Sequence, residues 1–191
     1  MIRATTDKSL VVVSFKTELG WCALVGNESE LARLTIAQTS EVDALRKVEA
    51  TELREAPRGH HLQGLARRLK RYAQGDRDDF LDVEIDESGL TEFQRQVVNA
   101  CRQIEPGSSA SYGELAALAG VPRGARAVGN VMRTNRIPII VPCHRVLASQ
   151  GKIGGYSLAP GLTFKRQLLA LEGHPDFCGD TLPRSLTSSW A

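Results

Sequence analysis

Cys143 sits among residues that can make a thiol reactive, in the run Asn135-Arg-Ile-Pro-Ile-Ile-Val-Pro-Cys143-His144-Arg145-Val146. A thiol attacks carbon as its thiolate, which at neutral pH needs nearby cations, a histidine or a helix N-terminus. All three are within sequence reach. Arg136 and Arg145 flank the cysteine and His144 follows it. Pro138 and Pro142 bar a helix upstream and permit one to begin directly after. Successive side chains diverge on a helix, so His144 is not expected to touch the sulfur directly. The competing reading is a buried cysteine acting as a small apolar residue.

Glu172 is the second residue whose placement suggests chemistry. The spacing predicts a helix over 164–172, with Phe164, Leu168 and Leu169 or Leu171 inward and Gly173 as its cap. An acid in the last turn opposes the helix dipole. A local rule broken without visible compensation often marks a working residue.

Other elements must bring these groups together. Thr91-Glu-Phe-Gln94 reads as a capping box opening a helix, with Phe93, Val97, Ala100, Cys101 and Ile104 as its core stripe and Pro106-Gly107 as its stop. Cys101 is therefore read as structural. Ser111-Tyr-Gly-Glu114 is a second capping box, opening a short helix with Leu115 and Leu118 inward. After Gly120-Val-Pro122, a third helix is expected over 123–135, giving the spacing of a helix-turn-helix. At about 100° per residue, Ala125, Ala127, Val128, Val131 and Met132 fall on one side. Arg123, Arg126, Gly129, Asn130, Arg133 and Arg136 fall on the other. That second side is basic, otherwise small and free of acids, which suits close approach to phosphates and bases.

Charge divides the chain. Residues 1–90 hold 13 basic and 16 acidic groups, whereas residues 91–174 hold 10 basic and 4 acidic groups. One half is thereby fitted to meet a polyanion. No apolar run approaches the roughly 20 residues of a membrane span. The start, with Asp7 and Lys8 ahead of a short apolar stretch, reads as neither signal peptide nor anchor, so the cytoplasm is expected. The four cysteines are dispersed and read as free thiols. Cys22, His60 and His61 would supply zinc ligands only by a coincidence of folding.

In the first half, residues 10–15, 20–25, 31–36 and 81–85 read as strands, and residues 41–53 and 62–72 as helices. Leu62, Leu65 and Leu69 share one stripe. This half carries no evident chemistry. After His174 periodicity is lost.

Taken in order and spacing, several segments from about Thr91 to Gly173 resemble the O6-alkylguanine-DNA alkyltransferases, or methylated-DNA–protein-cysteine methyltransferases. They are Ser111-Tyr112-Gly-Glu-Leu-Ala, Ala125-Arg126-Ala-Val-Gly129, Asn135, Pro138, Pro142-Cys143-His144-Arg145-Val146, Gly155-Tyr156-Ser157 and Leu168-Leu169 with Glu172. The resemblance implies an α/β (α+β) chain. A small RNase H-like antiparallel α/β domain would span 1–88, and a mostly helical domain with a winged helix-turn-helix 89–174. A flexible tail would follow over 175–191.

The resemblance also implies a single-turnover enzyme that moves the alkyl group of O6-alkylguanine, with O4-alkylthymine as a secondary candidate, onto Cys143. His144, through a water, and Glu172 would draw off the thiol proton. Tyr112 would protonate the leaving guanine and Asn135 would brace the cysteine segment. Arg126 would fill the gap left by the flipped base, while Tyr112, Arg123, Ala125, Gly129 and Arg133 would also meet the DNA. Tyr156, Ser157, Pro138 and Val146 would form the base pocket.

The implied partner is double-stranded DNA, met by a monomer with clustering on DNA left open; no membrane, cofactor or metal is expected. The segment Tyr156–Lys165 is about two residues longer than the family pattern, and Val98 stands where an aromatic is common. Two rival readings are a lesion-binding alkyltransferase-like protein without transfer and a cysteine hydrolase using Cys143 and His144.

Overall fold

Side-chain alternation sorts the first sheet into two faces. The structure is a computed structural model and describes residues 10–50, 53–156 and 161–178. Its first strands are β1 (Val11–Thr17), β2 (Gly20–Gly26) and β3 (Leu31–Gln38). β2 is antiparallel to both β1 and β3, and the short β4 (Arg54–Glu55) lies parallel to β1. The order is β3-β2-β1-β4. Neighbouring residues of a strand face opposite ways. Cys22 and Leu24 thus join the main core beneath α2 (His61–Ala73), while Ala23 and Val25 pack with Ala44 and Val48 around α1 (Glu41–Lys47).

Two elements expected in the first half are corrected. The helix expected over 41–53 ends at Lys47. Glu49 takes a left-handed φ of 54°, and its N–H and that of Ala50 close back on the Arg46 and Leu45 carbonyls. This is a Schellman-type stop built without the usual glycine. The strand expected over 81–85 is an irregular segment touching β3 through a single Ile85–Leu31 bridge. The Arg102 guanidinium, from the helix that follows, takes the carbonyls of Phe80, Leu81 and Val83 at 3.0, 2.9 and 2.8 Å. Those carbonyls are no longer free for a ladder.

The second half is mostly helical. Both capping boxes form, at α3 (Glu92–Arg102) and α4 (Tyr112–Leu118). α4 packs on α5 (Ala125–Arg133), and the strands β5 (Ala110–Ser111) and β6 (Val146–Leu147) pair in parallel. α5 starts later than expected because residues 121–124 make a turn closed by the Gly124 N–H on the Val121 carbonyl. Val128, Val131 and Met132 are its buried stripe. Ala127, expected inward, is exposed. In α4 the inward positions go to Leu115 and Ala116, with the cap Ala119, leaving Leu118 67% exposed.

The last helix, α6 (Leu162–Leu171), buries Phe164, Lys165, Leu168 and Leu169. Gly173 adopts φ 76°, its N–H meets the Ala170 carbonyl and the His174 N–H meets the Leu169 carbonyl. That Schellman closure fixes Glu172 as the C-cap. The chain is not featureless beyond it: Phe177 is buried against Leu147 and Leu169, and His174 bonds Ser109 Oγ at 2.9 Å. The remainder of the expected tail, residues 179–191, lies outside the described residues.

The main apolar core runs without a break from Val11 and Phe15 through Phe80 and Val97 to Leu168. The edge of β3 is tied to the second half as well, by the Leu34 N–H on the Arg136 carbonyl at 2.9 Å. Among the described residues no helix is long and apolar enough to cross a membrane.

Candidate active site

Asn135 organises the loop that carries the cysteine. Its amide donates to the Val141 carbonyl at 2.8 Å and to Cys143 Sγ at 3.2 Å, while its Oδ1 accepts from the Ile137 N–H at 3.0 Å. Within that loop Ile139 holds φ 71°, a left-handed conformation costly for a β-branched residue, and is buried. Pro142 then precedes one 3-10 turn, Cys143–Arg145. A single turn of three residues supplies little dipole, so the helix N-terminus proposed as an activator of the thiol is not one.

Cys143 is 5% exposed and borders a cavity of about 230 Å³ with Tyr112, Gly129, Met132, Arg133, Gly155 and Tyr156. Burial pushes its thiol up, and the Asn135 amide and the Lys165 ammonium pull against that rise. Lys165 replaces the arginines as the cation nearest in effect. Arg136 is exposed, and Arg145 turns away toward Glu172. The Lys165 ammonium donates to the Val146 carbonyl and lies 5.8 Å from the Tyr156 ring centroid. Burial brings it down to about 8.

Behind the cysteine lies a buried polar network. His144 Nε2 meets Glu172 Oε1 at 2.9 Å. Arg145 grips the same carboxylate through Nε to Oε2 at 2.9 Å and through a terminal nitrogen to Oε1 at 2.7 Å, and caps the Ile104 carbonyl. The Tyr72 hydroxyl, from α2, donates to Oε1 at 2.7 Å. Burial lowers the His144 pKa and Arg145 adds to the effect, whereas Glu172 acts against it. For Glu172, burial pushes upward but His144 and Arg145 outweigh it, leaving the carboxyl well below the usual range.

For the pair, Arg145 fixes the answer. Its permanent charge keeps Glu172 ionised, and the imidazole is neutral. Facing a carboxylate, a neutral His144 carries its proton on Nε2, which leaves Nδ1 with a lone pair. Nδ1 is buried and has no hydrogen-bond partner among the described residues. The arrangement can therefore accept a proton from a buried neighbour. The acid that opposed its helix dipole is compensated by Arg145.

Residues 92–174 match the family model described as 6-O-methylguanine DNA methyltransferase, DNA binding domain. A methylated-DNA–protein-cysteine methyltransferase of Mycolicibacterium paratuberculosis is 40% identical over 154 residues, covering 81% of this chain and 87% of that protein. The chain belongs to the methylated-DNA–protein-cysteine methyltransferase family. A constitutive methylated-DNA–protein-cysteine methyltransferase of Bacillus subtilis is 35% identical over 142 residues, 74% of this chain and 83% of its own. The crystal structure of Mycobacterium tuberculosis OGT in complex with DNA matches with a TM-score of 0.70 at 35% identity, over 92% of this chain and 97% of that one.

Seen as a member of the methyltransferase family, the chain gathers some expected residues and leaves others apart. Tyr112, Gly129, Arg133, Cys143 and Tyr156 share the cavity wall. Pro138 and Val146 are buried but are not among the residues bordering it. Ser157 lies outside the described residues. Arg126 is exposed on α5, Ala125 is half-buried at its first position, and Arg123 is exposed in the preceding turn rather than on the helix. Among the described residues, His60 and His61 do not join Cys22; His61 instead bonds the Asn27 carbonyl.

Three participants escaped sequence reasoning: Lys165, Tyr72 and the grip of Arg145 on Glu172. Tyr72 continues the stripe of Leu62, Leu65 and Leu69, so it reads as core. The available signal was its hydroxyl, which needs a partner once buried.

Proposed function

We propose that the chain repairs duplex DNA by direct reversal, taking the alkyl group of O6-alkylguanine onto Cys143 in one irreversible transfer. The observation that carries this reading is a thiol bordering a base-sized cavity, between a basic helix on one side and a proton-accepting network on the other. The alkyl carbon lies within a base stack, so the nucleotide must first leave it. The cavity then receives the base.

The thiol proton passes to His144 Nδ1, through a water, with Glu172 orienting the ring. The thiolate forms a bond to the alkyl carbon as the bond from that carbon to O6 breaks. Tyr112 gives the departing guanine a proton and regains one from the relay, so the thiol proton ends, in net terms, on guanine. Burial, then Cys143, keeps the Tyr112 phenol protonated by raising its pKa, as a donor requires. Among the described residues no group borders the sulfur to cleave a thioether, and in this reading the protein acts once.

In this reading the chain divides into parts 1–88 and 89–174. α4 and α5 act as a helix-turn-helix with α5 toward the DNA. Arg126 fills the space of the flipped base, Arg123 and Arg133 meet phosphates, and Ala125 and Gly129 permit close approach. Tyr156 borders the pocket that receives the base.

The test is intact mass after incubation with a duplex containing O6-methylguanine. One methyl group per protein, located on Cys143 and lost in Cys143→Ser with DNA binding retained, is the expected result. Continued turnover, label on Cys101 or Cys178, or binding without a mass gain would overturn the reading.

A further inference from the structure

Tyr72 belongs to the half of the chain to which the proposed chemistry assigns nothing. It lies near the end of α2, 2% exposed, with its ring edge-on to Phe80 at 5.7 Å between centroids. Its hydroxyl reaches a carboxylate 100 positions later in the chain. The four donors on Glu172 are unevenly shared. Oε1 takes Tyr72, His144 and one Arg145 nitrogen, and Oε2 takes the second Arg145 nitrogen. Burial and the charge of Glu172 keep the phenol protonated, hence a constant donor.

We propose that Tyr72 is a positioning residue for alkyl transfer, holding the Glu172 carboxylate so that Oε1 orients His144 toward Cys143. The inference rests on the alkyl-transfer reading and deepens it: the first half of the chain completes the proton relay of the second.

Donors on one oxygen compete for the same electron density. Without the Tyr72 hydroxyl, Oε1 draws harder on the His144 proton and the imidazole becomes more basic. A protonated His144 cannot accept the thiol proton. The groups bearing on the relay are Glu172 and Lys165 from α6, Cys143 and Arg145 from the 3-10 turn, Tyr156 beside the pocket and Tyr72 from α2. Of these, the substitution tested changes only Tyr72.

The experiment measures single-turnover methyl transfer from an O6-methylguanine duplex across pH, for the parent protein, Tyr72→Phe, Glu172→Gln and the double variant. Thermal melting and duplex affinity are measured in parallel. Phenylalanine keeps the packing on Phe80. Tyr72→Phe should slow transfer roughly tenfold at neutral pH, as expected for loss of a hydrogen bond to a charged group. It should also move the acid limb of the rate profile to higher pH and leave duplex affinity unchanged.

In the Glu172→Gln background the same change should cost nothing further, since residues acting through one another are not additive. Replacing Tyr72 by 3-fluorotyrosine, a stronger donor of similar shape, should move the acid limb the other way. A Tyr72→Phe protein with the parent's rate and profile overturns the inference, as does an equal loss in both backgrounds. A shift with fluorotyrosine in the same direction as with phenylalanine also overturns it. A Glu172→Gln protein as fast as the parent removes the relay itself, and a parent that transfers nothing removes the alkyl-transfer reading.

Discussion

At Cys143 opposite demands meet in one side chain. Burial shields the sulfur and favours the neutral thiol, while attack on carbon needs the thiolate. The structure sets a donor and a cation against that burial, Asn135 and Lys165, and in the proposed reading His144 takes the proton. Asn135 also stitches its own loop. Asn135→Ala removes three hydrogen bonds, at about 1 kcal/mol each when they are independent, from a segment already carrying the left-handed Ile139. We expect a loss of roughly 1–3 kcal/mol in unfolding free energy together with slower transfer, checked by denaturant melts and single-turnover rates. Normal stability with slow transfer would assign Asn135 to the sulfur alone. Cys143, His144 and Glu172 were legible in the sequence because residue type and local anomaly marked them. Lys165 and Tyr72 were not, because their meaning lies in what they meet across the fold.

Among the elements, α5 offers the sharpest test. Its buried stripe faces the core, and its exposed side carries Arg126, Asn130 and Arg133. A guanidinium that fills the gap of an extruded nucleotide offsets an unstacking cost of a few kcal/mol, a cost met only in duplex DNA. Arg126→Ala should therefore slow duplex repair by orders of magnitude and barely change the reaction of Cys143 with free O6-benzylguanine. An equal loss on both substrates would make Arg126 a support of the pocket. Arg123→Ala, at the phosphate contact proposed for it, should weaken binding and lower the salt slope by about 1. Caps explain how far elements could be read in advance. Thr91, Ser111 and Gly173 act on their own helices, so their signals are local. The stop at Glu49 and the loss of the strand at 81–85 were not, since one uses a residue unusual for the task and the other depends on Arg102 from the next helix.

For the molecule as a whole, the Glu172 network joins the two halves and couples stability to pH. Its carboxyl is depressed in the folded state. That contribution is present above the unfolded value of about 4.3, and it is lost as pH falls through the folded one. The parent's melting temperature should drop steadily below about pH 4.3. Glu172→Gln should be less stable at neutral pH yet lose less on acidification, and parallel curves would refute the assignment. The clamp on Cys143 has a consequence of another kind. Methylation replaces a thiol or thiolate by a bulkier, weaker acceptor, in a residue that is 5% exposed and whose sulfur is held by Asn135. The loop around Ile139 then loses part of what balances its strain. The methylated protein should melt below the unreacted one, a difference readable by calorimetry on the two forms. A used molecule would thereby differ from a fresh one in how often it opens, and a protease that samples open chains could tell them apart without recognising the methyl group at all.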